Sequence, residues 1–225
     1  MTALPDQVLF LWLSPAFPVG SFAYSHGLEW AIASGAIEND QDLHDWIQTL
    51  LTHGAGRNDL VLLAAGWQAM QKGNESLVED INQLSIALSA SRERHLETVS
   101  QGNAFIKAIQ DAWPSPNLPQ LVDRIQDLSY PVSVAIATYA HGLTLKPVLA
   151  HFVMSYVSNL LSAATRLSLI GQTQGQKLLN VLMPLMQNLV EEALESSLED
   201  LGGFSLCADI ASMQHETQYS RMFRS

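Results

Sequence analysis

Seven histidines, one cysteine and scattered carboxylates are the residues of this 225-residue chain that could do chemistry. A helical metal pair wants His at i and i+4, or His with a carboxylate three or four residues away. No His–x3–His occurs. His26 and Glu29 are three apart, while Glu93 and His95 are two apart and face different sides of a helix. His141 and His151 are separated by a turn. Satisfied or surface histidines are the plain reading of most of these. His215–Glu216 is the better ligand candidate, because an exposed tail can offer ligands, yet tail contacts are favoured over a stable metal site. A nucleophilic enzyme needs Ser or Cys beside a base, and there is no G-x-S-x-G. Cys207 lies in FSLCADI and reads as a small buried residue. GQTQG (171–175) lacks the lysine–serine pair of a P-loop, so hydrolysis of nucleotides by this chain alone is not expected. The acidic run 191–200 reads as a solvated helix face.

Composition narrows the classes. Hydrophobic residues make up 48% of the chain, enough for a full core in one sizeable domain. Charged residues are only 15%, well below the usual quarter or so, which leans towards a protein covered by a partner. A net charge of −11 argues against nucleic acid and anionic lipid as main ligands. With a single cysteine, neither an intrachain disulfide nor a thiolate zinc site can form. No uninterrupted apolar run of membrane-spanning length is present, and the N-terminus lacks a basic n-region. The expectation is a cytoplasmic protein without membrane association.

The elements that would position these residues are helical. Val8–Leu13 reads as a short apolar helix or strand. Apolar residues at helical spacing predict helices over Asp42–Thr52, Asn58–Gln71, Glu75–Leu88 and Ser91–Trp113, the second set off by Gly54 and Gly56. WPSPNLP stops the last of these, and a brief helix over Leu118–Leu128 follows. Val132–His141 allows a strand, but helix is preferred because no partner strand is evident. From Pro147, apolar positions run to Ala164 at helical spacing, the clearest helix of the chain. GQTQG breaks the chain, Lys177–Leu201 continues helically with Pro184 as a kink or split, and Leu206–Met213 is short. The pattern predicts an all-α, single-domain bundle of about ten helices over residues 1–225, with a C-terminal interaction tail from about 214.

Two segments resist that scheme. In Ser14–Ile37 the prolines 15 and 18 and Gly20 force a turn, after which Ser21 can cap a helix through Phe22, Tyr24, His26 and Glu29, ended by Gly35. It is either a packed lid over the core or a recognition surface. Gly20 is expected to hold a conformation other residues resist. The tail Gln214–Ser225 has no apolar period, yet carries Tyr219, Arg221, Met222, Phe223 and Arg224. Arginine and aromatics are the residue types of interface hot spots. A disordered tail is usually poorer in aromatics, so this one is expected to order on a partner or on its own core.

LWLSPAFPVGSFAYSHGLEWAI and DIASMQHETQYSRMFRS resemble the two ends of the UreF family of urease accessory proteins. SRERHLETVSQGNAF and LSLIGQTQGQKLL resemble its weaker internal signatures, so the likeness runs over essentially the whole chain. The resemblance implies an all-helical, non-enzymatic protein without cofactor. It implies association with the accessory protein UreD (also called UreH) and the nickel-carrying GTPase UreG. The assembly would support GTP-dependent nickel insertion into apo-urease, whose bridging lysine is carbamylated, and the chain would work as a homodimer. By position, His215, Glu216, Tyr219, Arg221 and Arg224 are the expected partner contacts or order that interface. Pro18, Gly20, Tyr24, His26, Gly27 and Glu29 form the other matched motif, facing a partner or holding the fold. Transient nickel contacts would fall to His26, His215 and Glu216. Two alternatives stand beside this: a small all-α enzyme with His141, His151 and the 146–170 helix as a pocket wall, and a stand-alone nickel metallochaperone.

Overall fold

The computed structural model describes residues 5–118 and 120–225. These residues form eleven α-helical segments and no strand: α1 (Pro5–Trp12), α2 (Leu28–Ala33), α3 (Asp40–His53), α4 (Ala55–Gln71), α5 (Glu75–Ala87), α6 (Arg92–Ala112), α7 (Leu121–Arg124), α8 (Tyr130–Ala140), α9 (Leu145–Arg166), α10 (Gln172–Glu195) and α11 (Leu206–His215). The chain is all-α, with one apolar core shared by helices from both ends of the sequence.

Local sequence explains most boundaries. The Asn39 side-chain Oδ1 accepts from the backbone amides of Gln41 and Asp42 at 3.0 Å each and starts α3. Asn74 and Ser91 cap α5 and α6 in the same way. α8 is apolar almost all round and buried on nearly every side, packed against α4 and α6. α9 is the one helix among the described residues long and apolar enough to cross a bilayer. Its apolar stripe, from Val148 through Phe152, Val157 and Leu160 to Ala164, is instead buried in the core beside α10 and α4.

Several expected boundaries move. Gly56 does not punctuate; it lies inside α4, and the break is at Gly54 alone. The helix expected over Leu118–Leu128 shrinks to α7, and Pro119 lies outside the described residues. Side-chain amides take the backbone groups that a longer helix would have used: Asn82 donates to the Asp127 carbonyl at 2.8 Å, and Asn103 accepts from Leu128 N at 2.9 Å. GQTQG is not a break, because Gly171 caps α10 and the following residues form its first turn. Pro184 sits inside a helix that runs unsplit to Glu195, and only a 3-10 turn, Leu198–Asp200, follows. Cys207 is exposed, in the solvent-facing first turn of α11.

The largest correction concerns residues 21–29. No helix runs through them. Ser21–Ala23 is a 3-10 turn, Tyr24 is extended, and α2 starts only at Leu28. Gly20 has φ +73° and Gly27 φ +78°, the left-handed region that glycine enters without strain. At Gly27 a Cβ would also lie 2.7 Å from the Ser212 backbone nitrogen of α11. These two positions turn the chain twice, and so point Tyr24, Ser25, His26 and Glu29 inward rather than around a helix.

Candidate functional site

α2, α6 and α11 meet around a buried polar cluster. α6 carries an i, i+4 stripe of Glu93, Glu97, Gln101, Phe105 and Ile109, all buried, so its polar first half faces inward like its apolar second half. α2 contributes Glu29, 6% exposed, and α11 contributes His215, 0% exposed. His215 Nδ1 lies 2.6 Å from Glu93 Oε2, and Nε2 lies 3.1 Å from Glu29 Oε2. Carboxylates only accept, so both contacts are satisfied together when the ring carries both protons. The Arg221 guanidinium donates to Glu93 Oε1 at 2.6 Å. Arg221 thus brings a full positive charge to Glu93, and the rest of the cluster is held by hydrogen bonds.

The tail closes over this cluster. Glu29 accepts from the backbone amides of Met222 at 2.6 Å and Phe223 at 2.8 Å. Arg224 N donates to the Ala23 carbonyl, and Ser25 N donates to the Ser225 carbonyl, at 2.7 Å each. The Arg166 guanidinium stands 4.4 Å over the Phe223 ring and donates to the Phe22 carbonyl at 2.5 Å. Residues 222–225 are thus strapped to residues 22–25, and the two end segments make one structure.

A second polar group adjoins the first. Glu97 pairs with Arg94, accepts from Gln101 at 3.0 Å and from Ser225 Oγ at 2.8 Å, and lies 3.1 Å from His26 Nε2. Burial raises the Glu97 pKa, but the Arg94 charge and these donors outweigh it and hold the carboxyl at about 2. His26 is pushed below its ordinary value by burial first and by Arg94 second. Asp59 of α4 has no hydrogen bond to offset its burial, which pushes its carboxyl up to about 7. Asp59, His26, Arg94 and Thr98 form a wall between two internal spaces of 160 and 40 Å³. The smaller is bordered by Tyr156, whose hydroxyl is buried without a partner.

Of the matched residues, Tyr24, His26, Gly27, Glu29 and His215 are buried, while Pro18, Tyr219, Arg221 and Arg224 are exposed. Glu216 is half-buried and accepts from Arg92 N at 2.8 Å. The structure brings His26, Glu29, His215 and Arg221 into adjoining networks, and it adds Glu93, Arg94, Glu97 and Asp59, which sequence reasoning did not assign. For Glu93, Arg94 and Glu97 the signal was the dense charge in RERHLE, with the two glutamates on the same i, i+4 stripe as Phe105 and Ile109; Asp59, on α4, carried no such signal. Among the described residues, no three His, Cys, Asp or Glu side chains converge as a metal site. His141 and His151 line neither of those two spaces. The His141 ring bridges the Ala137 and Trp113 carbonyls, whereas His151 contacts the Pro147 carbonyl and lines a separate, open surface cleft with Asp6, Gln7, Phe10 and Leu11.

A family model described as UreF matches residues 37–183. A Urease accessory protein UreF of Rhodopseudomonas palustris (strain HaA2) is 45% identical over 218 residues, covering 96% of this chain and 92% of the relative. A protein of the same name from Bradyrhizobium sp. (strain BTAi1 / ATCC BAA-1182) is 42% identical over 228 residues and covers 100% of this chain and 95% of its own. That alignment includes both end segments, which the family model leaves outside. The chain belongs to the UreF family.

Proposed function

We propose that this chain acts in urease maturation as a non-enzymatic scaffold. It binds the UreD/UreH accessory protein and the GTPase UreG, and supports GTP-dependent nickel insertion into apo-urease in the cytoplasm, as a homodimer. Family membership supports the role in maturation. One observation supports the scaffold reading: the buried half of the two end segments fixes their exposed half in a defined place. Tyr219 is fully exposed, and Met222 and Phe22 are each 61% exposed, beside the strap that joins residues 222–225 to 22–25. Large apolar and aromatic side chains exposed on a backbone that is hydrogen-bonded in place suit a protein partner, because the backbone need not be ordered again on docking. Scaffolding needs no catalytic group; it works by binding one state of a partner better than another.

Nickel is cargo in this reading. Both His215 nitrogens and a Glu216 oxygen are engaged within the chain, so of the three expected contacts only His26, through Nδ1, offers an unengaged ring nitrogen. The test is co-expression with UreD- and UreG-like proteins, followed by size-exclusion chromatography with mass determination. The triple variant Phe22→Ala, Tyr219→Ala, Met222→Ala should keep the wild-type helical circular dichroism and lose co-elution. Co-elution of the variant in the wild-type proportion would refute the assignment of this surface.

A further inference from the structure

A neutral imidazole has one N–H and one lone pair, and a carboxylate has only lone pairs. His215 nonetheless meets a carboxylate at each ring nitrogen: Glu93 Oε2 lies 2.6 Å from Nδ1, and Glu29 Oε2 lies 3.1 Å from Nε2. With a single ring proton, one of these contacts would set lone pair against lone pair. The residue is 0% exposed, so water does not separate them. Closing the triad therefore takes one proton beyond those of a neutral ring and two carboxylates, whichever of the three groups carries it.

The other charged neighbours are already engaged. Arg221, from the tail, donates to Glu93 Oε1 at 2.6 Å and approaches the His215 backbone carbonyl at 3.5 Å. Glu216, beside His215 at the end of α11, accepts from Arg92 N at 2.8 Å. Arg94 and His26 are paired with Glu97. The triad is also where the tail is fastened, because the Glu29 carboxylate that meets the ring accepts from Met222 N and Phe223 N. Glu93 has the shorter ring contact and the Arg221 guanidinium. A ring left with one proton keeps it towards Glu93, and Glu29 then faces a bare Nε2. The carboxylate that holds the strap is the one pushed away.

We propose that the Glu29–His215–Glu93 triad is a proton-operated latch: the strap of residues 222–225 closes when the triad takes up a proton and opens when alkaline pH removes it. Met222 stands on that strap and Tyr219 just before it, so the latch regulates the partner surface proposed above, and in that one consequence it rests on that reading. In the open tail the ring and both carboxylates are in water, where a histidine gives up its proton near about pH 6.5. Above that pH, closing binds a proton that the open form lacks, so opening becomes about tenfold more favourable per pH unit.

Native-state hydrogen exchange on the full chain without partners, from about pH 6 to 9, tests this, with each amide's protection taken relative to its intrinsic rate at the same pH. Protection of Met222 and Phe223 should fall about tenfold per pH unit above roughly pH 6.5, while that of the buried Leu149 stays level. Glu93→Gln distinguishes a latch from a structural support. Its amide oxygen keeps Arg221 and its amine donates to Nδ1, so a ring with one proton, on Nε2, satisfies both neighbours. The strap of this variant should show no pH slope and should be better protected than the wild type at about pH 9. Level protection of Met222 and Phe223 across the range in the wild type, a wild-type slope in Glu93→Gln, or a parallel fall at Leu149 would overturn the proposal. Failure of the partner surface would show instead in the co-elution of the triple variant at Phe22, Tyr219 and Met222, and would leave these slopes unchanged.

Discussion

Glu29→Gln should release the tail while leaving the helices in place. The Glu29 carboxylate accepts from Met222 N at 2.6 Å, Phe223 N at 2.8 Å and the His215 ring at 3.1 Å. A glutamine of the same shape keeps one acceptor oxygen and replaces the other with an amine that can only donate. At least one backbone amide then loses its partner, and the amine faces another N–H. Each hydrogen bond to a charged group is worth about 1.5–3 kcal/mol, and breaking one side of a buried charge pair removes about 3–5 kcal/mol. Taking about 3 kcal/mol for the tail, and a factor of ten per 1.4 kcal/mol, local opening should rise about a hundredfold. The assay is native-state hydrogen exchange at the amides of Met222 and Phe223. Leu149, on the buried face of α9, serves as the internal control and should exchange as in the wild type. Protection of Met222 and Phe223 within threefold of wild type would refute the reasoning that the tail hangs on Glu29.

Two further predictions use acidity. The Glu97 carboxyl lies near 2, below its ordinary value of 4.5, so its contribution is present above about 4.5 and is lost as pH falls towards 2. Glu97→Gln should melt well below wild type at pH 7, and the gap should shrink by about 3 kcal/mol between pH 4.5 and 2; a pH-independent gap would contradict the charge pairing. Asp59 behaves in the opposite sense: its carboxyl is raised to about 7 from 3.8, so the wild type loses stability as pH rises through that window. Asp59→Asn should therefore melt above wild type at pH 8 and converge with it at pH 4, and identical melting curves at pH 8 would rule out a strained carboxyl there.

Helix identity and order were legible before any coordinates, because they depend on local periodicity and caps. Asn39, Asn74 and Ser91 start helices by bonding to amides two or three residues away, and the stripe from Val148 to Ala164 needs only a core to face. Boundaries failed where the competing partner came from a distant part of the chain. α7 is short because Asn82 and Asn103, on α5 and α6, take its neighbours' backbone groups. The segment 21–29 looked helical from Ser21 and Glu29, yet Gly20 and Gly27 adopt positive φ in order to fit against α11 and the tail. Cys207 is exposed despite its apolar neighbours because Phe204, Leu206 and Ile210 are themselves exposed, so an apolar local sequence does not mark burial here.

By itself, the sequence determined an all-α chain and its two unusual end segments, and the likeness of its motifs placed it in a family. The tertiary structure alone decided that those ends meet. Glu29 and His215 are 186 residues apart, and nothing local pairs a carboxylate with an imidazole across that separation. The tail's arginine–aromatic composition suited either an interface or a docked strap. Burial of Glu29, Glu93 and Glu97 settled where its backbone goes, since carboxylates taken out of water must find donors. What remained outside, Tyr219, Met222 and Phe22, is the part that the fold has no use for.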